Sequence, residues 1–302
     1  MTTTHSLAPT QKQLWFAAIK PPMYSVAVIP ICVGTAVAFA QSHQVNFWIF
    51  SIFFLSAITI VAWLNLSNDV FDADTGIDKN KAHSVVNLTG NKRLIYWISN
   101  GFLGLGLLGI FLISWLQQDI TVLAIVGLAC VLGYSYQGPP FRLGYQGLGE
   151  LICFITFGPL AIAAVYYSQT QAFNNAVIAP SVLVGISTSL VLFCSHFHQV
   201  EDDLAAGKRS PIVRLGTARG ANVLAYATLS LYALTAIFIG LNMAPLSSGL
   251  VFLSLPFAIQ LINYVRNYHD QPTQISRSKF VAIKLHFVSG ILLSLGYILG
   301  AT

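Results

Sequence analysis

The chain has 302 residues, of which 55% are hydrophobic and only 8% charged, with a net charge of +5. Soluble domains carry roughly 25% charged residues, so a large soluble helical domain is excluded for want of polar surface. The modest, localised positive charge and the lack of any nucleic-acid-binding motif point away from DNA and RNA. They point towards an anionic membrane face or an anionic substrate.

In chain order, the polar opening Met1–Gln13 does not read as a cleavable signal peptide. A helix needs about 20 apolar residues to cross a bilayer. Runs near that length cover 22–41, 47–70, 94–116, 120–137, 148–169, 176–199, 220–241, 245–265 and 280–300. They predict an all-α polytopic membrane protein of about nine transmembrane helices around a central cavity, forming a single domain over 1–302. The fourth run is the shortest. Cys32, Cys130, Cys153 and Cys194 lie inside these runs without metal-ligand spacing, and read as small buried hydrophobes.

The basic residues test that count. Lys12 and Lys20 precede the first run; Lys79, Lys81, Lys92 and Arg93 follow the second; Arg142 follows the fourth. Lys208, Arg209, Arg214 and Arg219 follow the sixth, and Arg266, Arg277, Lys279 and Lys284 the eighth. These are all 15 Lys and Arg of the chain, and the alternate loops have none. The positive-inside rule then predicts the N-terminus and the basic loops on the cytoplasmic or stromal side of a plasma or thylakoid membrane, with the C-terminus opposite.

Seven of the ten acidic residues fall into two clusters, each at the end of an apolar run and each followed by a basic loop. The first is Asp69, Asp72, Asp74 and Asp78. Asn65, Asn68, Asp69 and Asp72 are spaced i, i+3, i+4 and i+7, which predicts one stripe of oxygens on a helix. Carboxylates at a membrane face are costly unless paired or bound to a cation, and hard cations such as Mg²⁺ share oxygen ligands with phosphates. Gly76 permits a turn that folds Asp78 back, and Lys79 and Lys81 follow as possible phosphate contacts. The second cluster is Glu201, Asp202 and Asp203, preceded by His196, His198 and Gln199 and followed by Gly207-Lys208-Arg209. On a helix Gln199 shares a face with Asp203, and His198 with Asp202. The histidines read as polar helix residues or substrate contacts, since no further Cys or spaced His supports a zinc site. Between the clusters, Gly138-Pro139-Pro140-Phe141-Arg142 predicts a tightly shaped loop leading to Glu150, either a helix N-terminal acid or a binding residue.

These motifs together resemble the UbiA superfamily of intramembrane aromatic prenyltransferases. The first match is Asn68-Asp69-x-x-Asp72 followed by Gly76-x-Asp78; the second is the later acidic cluster with Gly207-Lys208-Arg209 and Arg214-Leu215-Gly216. The loop Gly138-Pro139-Pro140-x-Arg142-Leu143-x-Tyr145-x-Gly147-x-Gly149-Glu150 is similar to the naphthoate branch, called MenA. His198-Gln199-Val200-Glu201-Asp202-Asp203 is similar to phylloquinone-pathway members of photosynthetic organisms. The resemblance covers nearly the whole chain, including Trp15 and Lys20-Pro21. It departs in one place: the superfamily usually sets two Asp four apart in its second motif, and here Gln199 takes the earlier position. Glu201, Asp202 and Asp203 all stay open as the second metal's carboxylate.

The resemblance implies Mg²⁺-dependent transfer of a phytyl or other polyprenyl group from its diphosphate to 1,4-dihydroxy-2-naphthoate or 2-carboxy-1,4-naphthoquinone. Decarboxylation accompanies transfer, in phylloquinone or menaquinone biosynthesis. It implies catalytic roles for Asp69, Asp72 and Asp203, and metal binding by Asn68, Asp69, Asp72, Asp78, Asp202 and Asp203. Lys20, Lys79, Lys81, Arg142, Lys208 and Arg209 are the candidates for the diphosphate. Asn65, Tyr136, Glu150, His198 and Gln199 are the candidates for the acceptor. The expected partners are the prenyl diphosphate, the naphthoate-type acceptor and the lipid bilayer, with no nucleic acid. The alternatives are a UbiA-type enzyme with another ring acceptor, and an ion-coupled transporter, which predicts acids deep within the spans. A non-catalytic scaffold would leave the paired clusters unexplained.

Overall fold

The computed structural model describes residues 10–77 and 84–301. Bilayer hydrocarbon offers backbone groups no hydrogen bonds, so an apolar chain that crosses it must satisfy them within helices or a closed barrel. The described residues form helices and turns, with no strand among them. In order these are α1 (Gln11–Ile19), α2 (Ser25–Ser42), α3 (Phe47–Thr75), α4 (Val85–Thr89), α5 (Lys92–Gln117), α6 (Thr121–Gln137), α7 (Gly149–Ile155) and α8 (Ala161–Thr170). They continue as α9 (Ile178–His196), α10 (Val200–Ala205), α11 (Pro211–Leu215), α12 (Thr217–Gly240), α13 (Leu255–Tyr268), α14 (Pro272–Ile275) and α15 (Ser278–Leu299).

Eight helical stretches are long and apolar enough to cross a membrane, and the 17-residue α6 adds a shorter apolar one. That agrees with about nine spans, the fourth being the shortest. The ends are set by local chemistry. The Asn46 side chain accepts the N–H groups of Trp48 and Ile49 at the start of α3, and Gly76, at φ 74°, closes it. Asn91 caps α5 in the same way, accepting from the Leu94 N–H.

Three runs depart from straight α-helix, the eighth by opening as a 3₁₀ helix over Leu246–Ser254 before α13. The sixth run does not continue to 199 as one helix: α9 stops at His196, and α10 begins afresh at Val200. The break places Glu201, Asp202 and Asp203 in the first turn of α10, where the positive end of the peptide dipoles meets their charge. The fifth run contains a π-helical turn, Thr156–Leu160, between α7 and α8. Pro159 lies inside it and has no N–H to continue the regular ladder.

The helices pack through small residues. On α5, a Cβ added to Gly106 would come within 2.6 Å of Ile60, and one on Gly109 would collide with the Ser56 hydroxyl of α3. Their bare backbones therefore let α3 and α5 pack side by side. One buried cluster joins α2, α9, α12, α13 and α15; a second joins α2, α3, α5, α6 and α8. The outer faces carry large apolar side chains, among them Trp48 at 82% exposure and Tyr226 at 71%, a surface suited to lipid.

Candidate active site

The last turns of α3 bring Asp69 and Asp72 into the protein, at 1% and 9% exposure. Buried carboxylates need partners. Lys20 donates to Asp69 Oδ1 at 3.0 Å, and the Val85 N–H donates to Asp69 Oδ2 at 3.0 Å. Lys20 itself has left-handed backbone (φ 53°), turning the chain from α1 into the Pro21–Tyr24 turn. Gln137, the last residue of α6, donates from Nε2 to Asp72 Oδ1 at 2.6 Å. Asn65 and Asn68 line the central cavity instead. All four lie on the one continuous helix α3, the amides at the cavity and the carboxylates bonded to Lys20, the Val85 N–H and Gln137. Asp74 pairs with Lys92 at the start of α5. Asp78, Lys79 and Lys81 lie outside the described residues.

The second cluster is unequal. Asp203 is fully buried, Asp202 half-buried and Glu201 exposed. Lys208 Nζ lies 3.3 Å from Asp203 Oδ1, and His196 Nδ1 3.4 Å from Asp203 Oδ2. The other ring nitrogen of His196 lies 3.3 Å from Glu150 Oε1, in the first turn of α7. These distances are at the outer edge of hydrogen bonding. The side-chain oxygens of Asp203 and Glu150 are buried without a well-aligned donor. Burial pushes the Asp203 carboxyl up, but His196, the Lys208 ammonium and Ser210 together bring it below the usual carboxylate value. His198 and Gln199 are half-buried; the histidine that bridges the two carboxylates is His196. Gln199 precedes α10, and its carbonyl accepts the Asp203 N–H at 2.7 Å.

The loop between α6 and α7 links the two acidic segments. It contains a cis Pro139–Pro140 bond, and its backbone is left-handed at Arg142 and Gly147. The Tyr145 hydroxyl is 2.6 Å from Thr75 Oγ1 at the end of α3. Its carbonyl accepts the Arg209 N–H at 2.8 Å. Arg142 and Lys208 each approach its ring face, 5.9 Å from the centroid. Arg214 adds a bond to the Gln146 carbonyl at 2.6 Å. The phenol is pushed up to about 12, chiefly by burial; the charges of Asp72 and Asp203 add to this, while Thr75 and Arg142 oppose it. Tyr145 therefore stays neutral between two carboxylates that are 131 residues apart in the chain. The Arg209 side chain is exposed beside this loop.

Below the acids lies an apolar cavity of about 230 Å³. Asn65, Asn68, Tyr136, Gly149 and Ser195 line it near the acidic segments; Ile31, Phe53, Ile110, Val126 and Val165 line its far end. The π-helical turn contributes Thr156, Phe157 and Leu160 to its wall. Cys130 and Cys153 also line it. Among the described residues no three His, Cys, Asp or Glu side chains stand together as a ready-made metal group. The donors here are nonetheless mostly hard oxygens, and the poorly satisfied carboxylates of Asp203 and Glu150 have lone pairs to offer. That donor set fits Mg²⁺.

Tyr145, Gln137 and Thr75 are the residues here that sequence reasoning did not single out for the site, and His196 reads in the sequence only as a polar helix residue or substrate contact. Tyr145 and His196 stood inside the motifs already noted, but only the folded chain distinguishes them from their neighbours.

The profile of the UbiA prenyltransferase family matches residues 27–288. The chain belongs to the UbiA prenyltransferase family. This UbiA protein is 63% identical over 292 residues to the 2-carboxy-1,4-naphthoquinone phytyltransferase of Synechocystis, covering 97% of this chain and 95% of the relative. It is 42% identical over 299 residues to the chloroplastic 2-carboxy-1,4-naphthoquinone phytyltransferase of Arabidopsis thaliana, covering 96% and 78%. Among solved structures it shares the fold of a UbiA homolog from Archaeoglobus fulgidus bound to DMAPP and Mg²⁺. The TM-score there is 0.61 at 15% identity, covering 93% of this chain and 99% of the other. It is a membrane-embedded prenyltransferase.

Proposed function

We propose that this UbiA enzyme transfers a phytyl group from its diphosphate to a naphthalene ring bearing a carboxylate, with loss of CO₂. The observation that carries this reading is the meeting of two acidic segments through the Tyr145 loop beside a deep apolar cavity. An anionic head and a long apolar tail need those two environments side by side. The acids of the described helices lie near helix ends, not at mid-span, which favours this chemistry over ion-coupled transport.

Asn68, Asp69, Asp72, Asp202 and Asp203, with Asp78, are the residues that would hold Mg²⁺. When bound, it supplies positive charge against the carboxylates and the diphosphate. Lys20, Arg142, Lys208 and Arg209, with Lys79 and Lys81, stabilise the leaving diphosphate. The allylic carbon–oxygen bond breaks with its electron pair going to the diphosphate. The ring carbon that carries the carboxylate attacks the allylic cation. The bond to the carboxylate then breaks, its electrons return to the ring, and CO₂ leaves. With the 1,4-dihydroxy acceptor the product is the quinol; with 2-carboxy-1,4-naphthoquinone the same exchange of carboxylate for phytyl is redox-neutral and gives the quinone. Asn65, Tyr136, Glu150, His198 and Gln199, together with His196, surround the acceptor end, and the apolar walls keep water from the cation. The acidic segments and basic loops face the cytoplasm or stroma, as the charge distribution favours.

The test is purified protein in detergent with Mg²⁺, phytyl diphosphate and 1,4-dihydroxy-2-naphthoate, read by mass spectrometry of the lipid product. A decarboxylated phytyl-naphthoquinol (or its air-oxidised quinone) that vanishes with EDTA supports the reading. With 2-carboxy-1,4-naphthoquinone the expected product is the decarboxylated phytyl-naphthoquinone, and runs with and without a reductant tell which redox form is accepted. Folded protein that makes no product with either acceptor overturns the naphthoate assignment.

A further inference from the structure

We infer that the far end of the cavity is a floor that sets the length of the prenyl chain, with Phe53 its central residue. The inference rests on the proposed prenyl transfer and adds what the enzyme selects in its donor.

The cavity has a measurable depth. Asn68 and Phe53 both line it, and both belong to α3. They are 15 residues apart, about 22 Å of helix at 1.5 Å per residue. That is of the order of an extended diterpenoid chain, and well short of an extended hexaprenyl or octaprenyl chain. Four helices close the far end with Phe53, Ile110, Val126 and Val165, each at most 8% exposed. One turn further from the acids, Ile49, Ile113 and Val122 belong to the same buried cluster and are themselves at most 4% exposed. They line no part of the cavity. A tail that follows the cavity to this end meets close-packed side chains from α3, α5 and α6, and running further in that direction requires displacing them. Phe53 is the largest side chain at this floor. Ala57 lines the cavity one turn nearer the acids on the same helix, so a bulky side chain there raises the floor by about 5 Å.

The test compares geranyl, phytyl and hexaprenyl diphosphates at saturating naphthoate, as ratios of kcat/KM, on the wild type and on Phe53→Ala and Ala57→Leu. Phe53→Leu is the milder enlargement should Phe53→Ala fail to fold. A second readout needs no ring acceptor: the rise in melting temperature that each diphosphate gives with Mg²⁺ in detergent. The wild type is expected to prefer phytyl over hexaprenyl diphosphate at least tenfold. Enlarging position 53 should move that ratio at least fivefold towards hexaprenyl. Ala57→Leu should lose phytyl turnover while keeping geranyl turnover, moving that ratio at least fivefold the other way. Unchanged ratios in folded, active variants overturn the floor, as does a wild type indifferent to length. If naphthoate is not prenylated but the melting shifts follow this order, the acceptor assignment fails and the floor stands.

Discussion

At the residue scale, carboxylates are kept buried by particular partners. Asp69 and Asp72 are held by Lys20, the Val85 N–H and Gln137, so replacing either with Asn keeps its size but removes the charge and turns one acceptor oxygen into a donor. Asp69→Asn and Asp72→Asn should each lower turnover at least a hundredfold, and Asp69→Asn, which also loses its ion pair with Lys20, should lower the melting temperature more than Asp72→Asn; product mass spectrometry and a thermal melt decide. Asp203 gives a pH signature. Its carboxyl lies below its ordinary value in the folded protein, so its stabilisation is fully present above about pH 4, the unfolded value. It is lost as the pH falls through the lower folded value. Asp203→Asn should therefore flatten the acid side of the stability profile, measured by melts from pH 6 to pH 3. Tyr145→Phe removes the contact with Thr75 but keeps the ring under Arg142 and Lys208. A cost of about 1 kcal/mol is expected, with turnover largely retained, whereas Tyr145→Ala should lose both stability and diphosphate affinity.

At the element scale, the long helices were legible because lipid imposes one pattern on every span. The nine apolar runs correspond to the eight long apolar stretches and the shorter α6 among the described residues. The break after His196 was not legible, because the residues 197–199 carry no Gly or Pro to announce it. What the break accomplishes, three acids in the first turn of α10, appears only once the helix has restarted. The hub role of Tyr145 was hidden for a similar reason. Its partners come from α3, from the loop after α10 and from its own loop, and spacing within one segment cannot reveal them. The close contact of α3 with α5 is an element-scale prediction. Gly109→Val forces a side chain against Ser56 and should destabilise the protein by about 1–3 kcal/mol, read as a lower melting temperature in detergent. A melt unchanged from wild type would mean that the two helices part without cost.

At the scale of the whole molecule, the fold joins two environments, a charged face and an apolar cavity, and the proposed transfer uses the first for the diphosphate and the second for the allylic cation and the prenyl tail. Sidedness follows from the same division. With the 4 native cysteines replaced, a cysteine introduced at Glu201 should react with an impermeant thiol reagent only from the cytoplasmic or stromal side, and one at Gln118 only from the other. The most direct test of the account follows the leaving groups together. Acceptor labelled with ¹³C in its carboxylate is turned over with phytyl diphosphate and Mg²⁺, and labelled CO₂, diphosphate and phytylated ring are counted. One of each per turnover, all abolished by EDTA and by Asp69→Asn, is the predicted result. Phytylated ring that retains its labelled carboxylate, or diphosphate released without transfer, would contradict it.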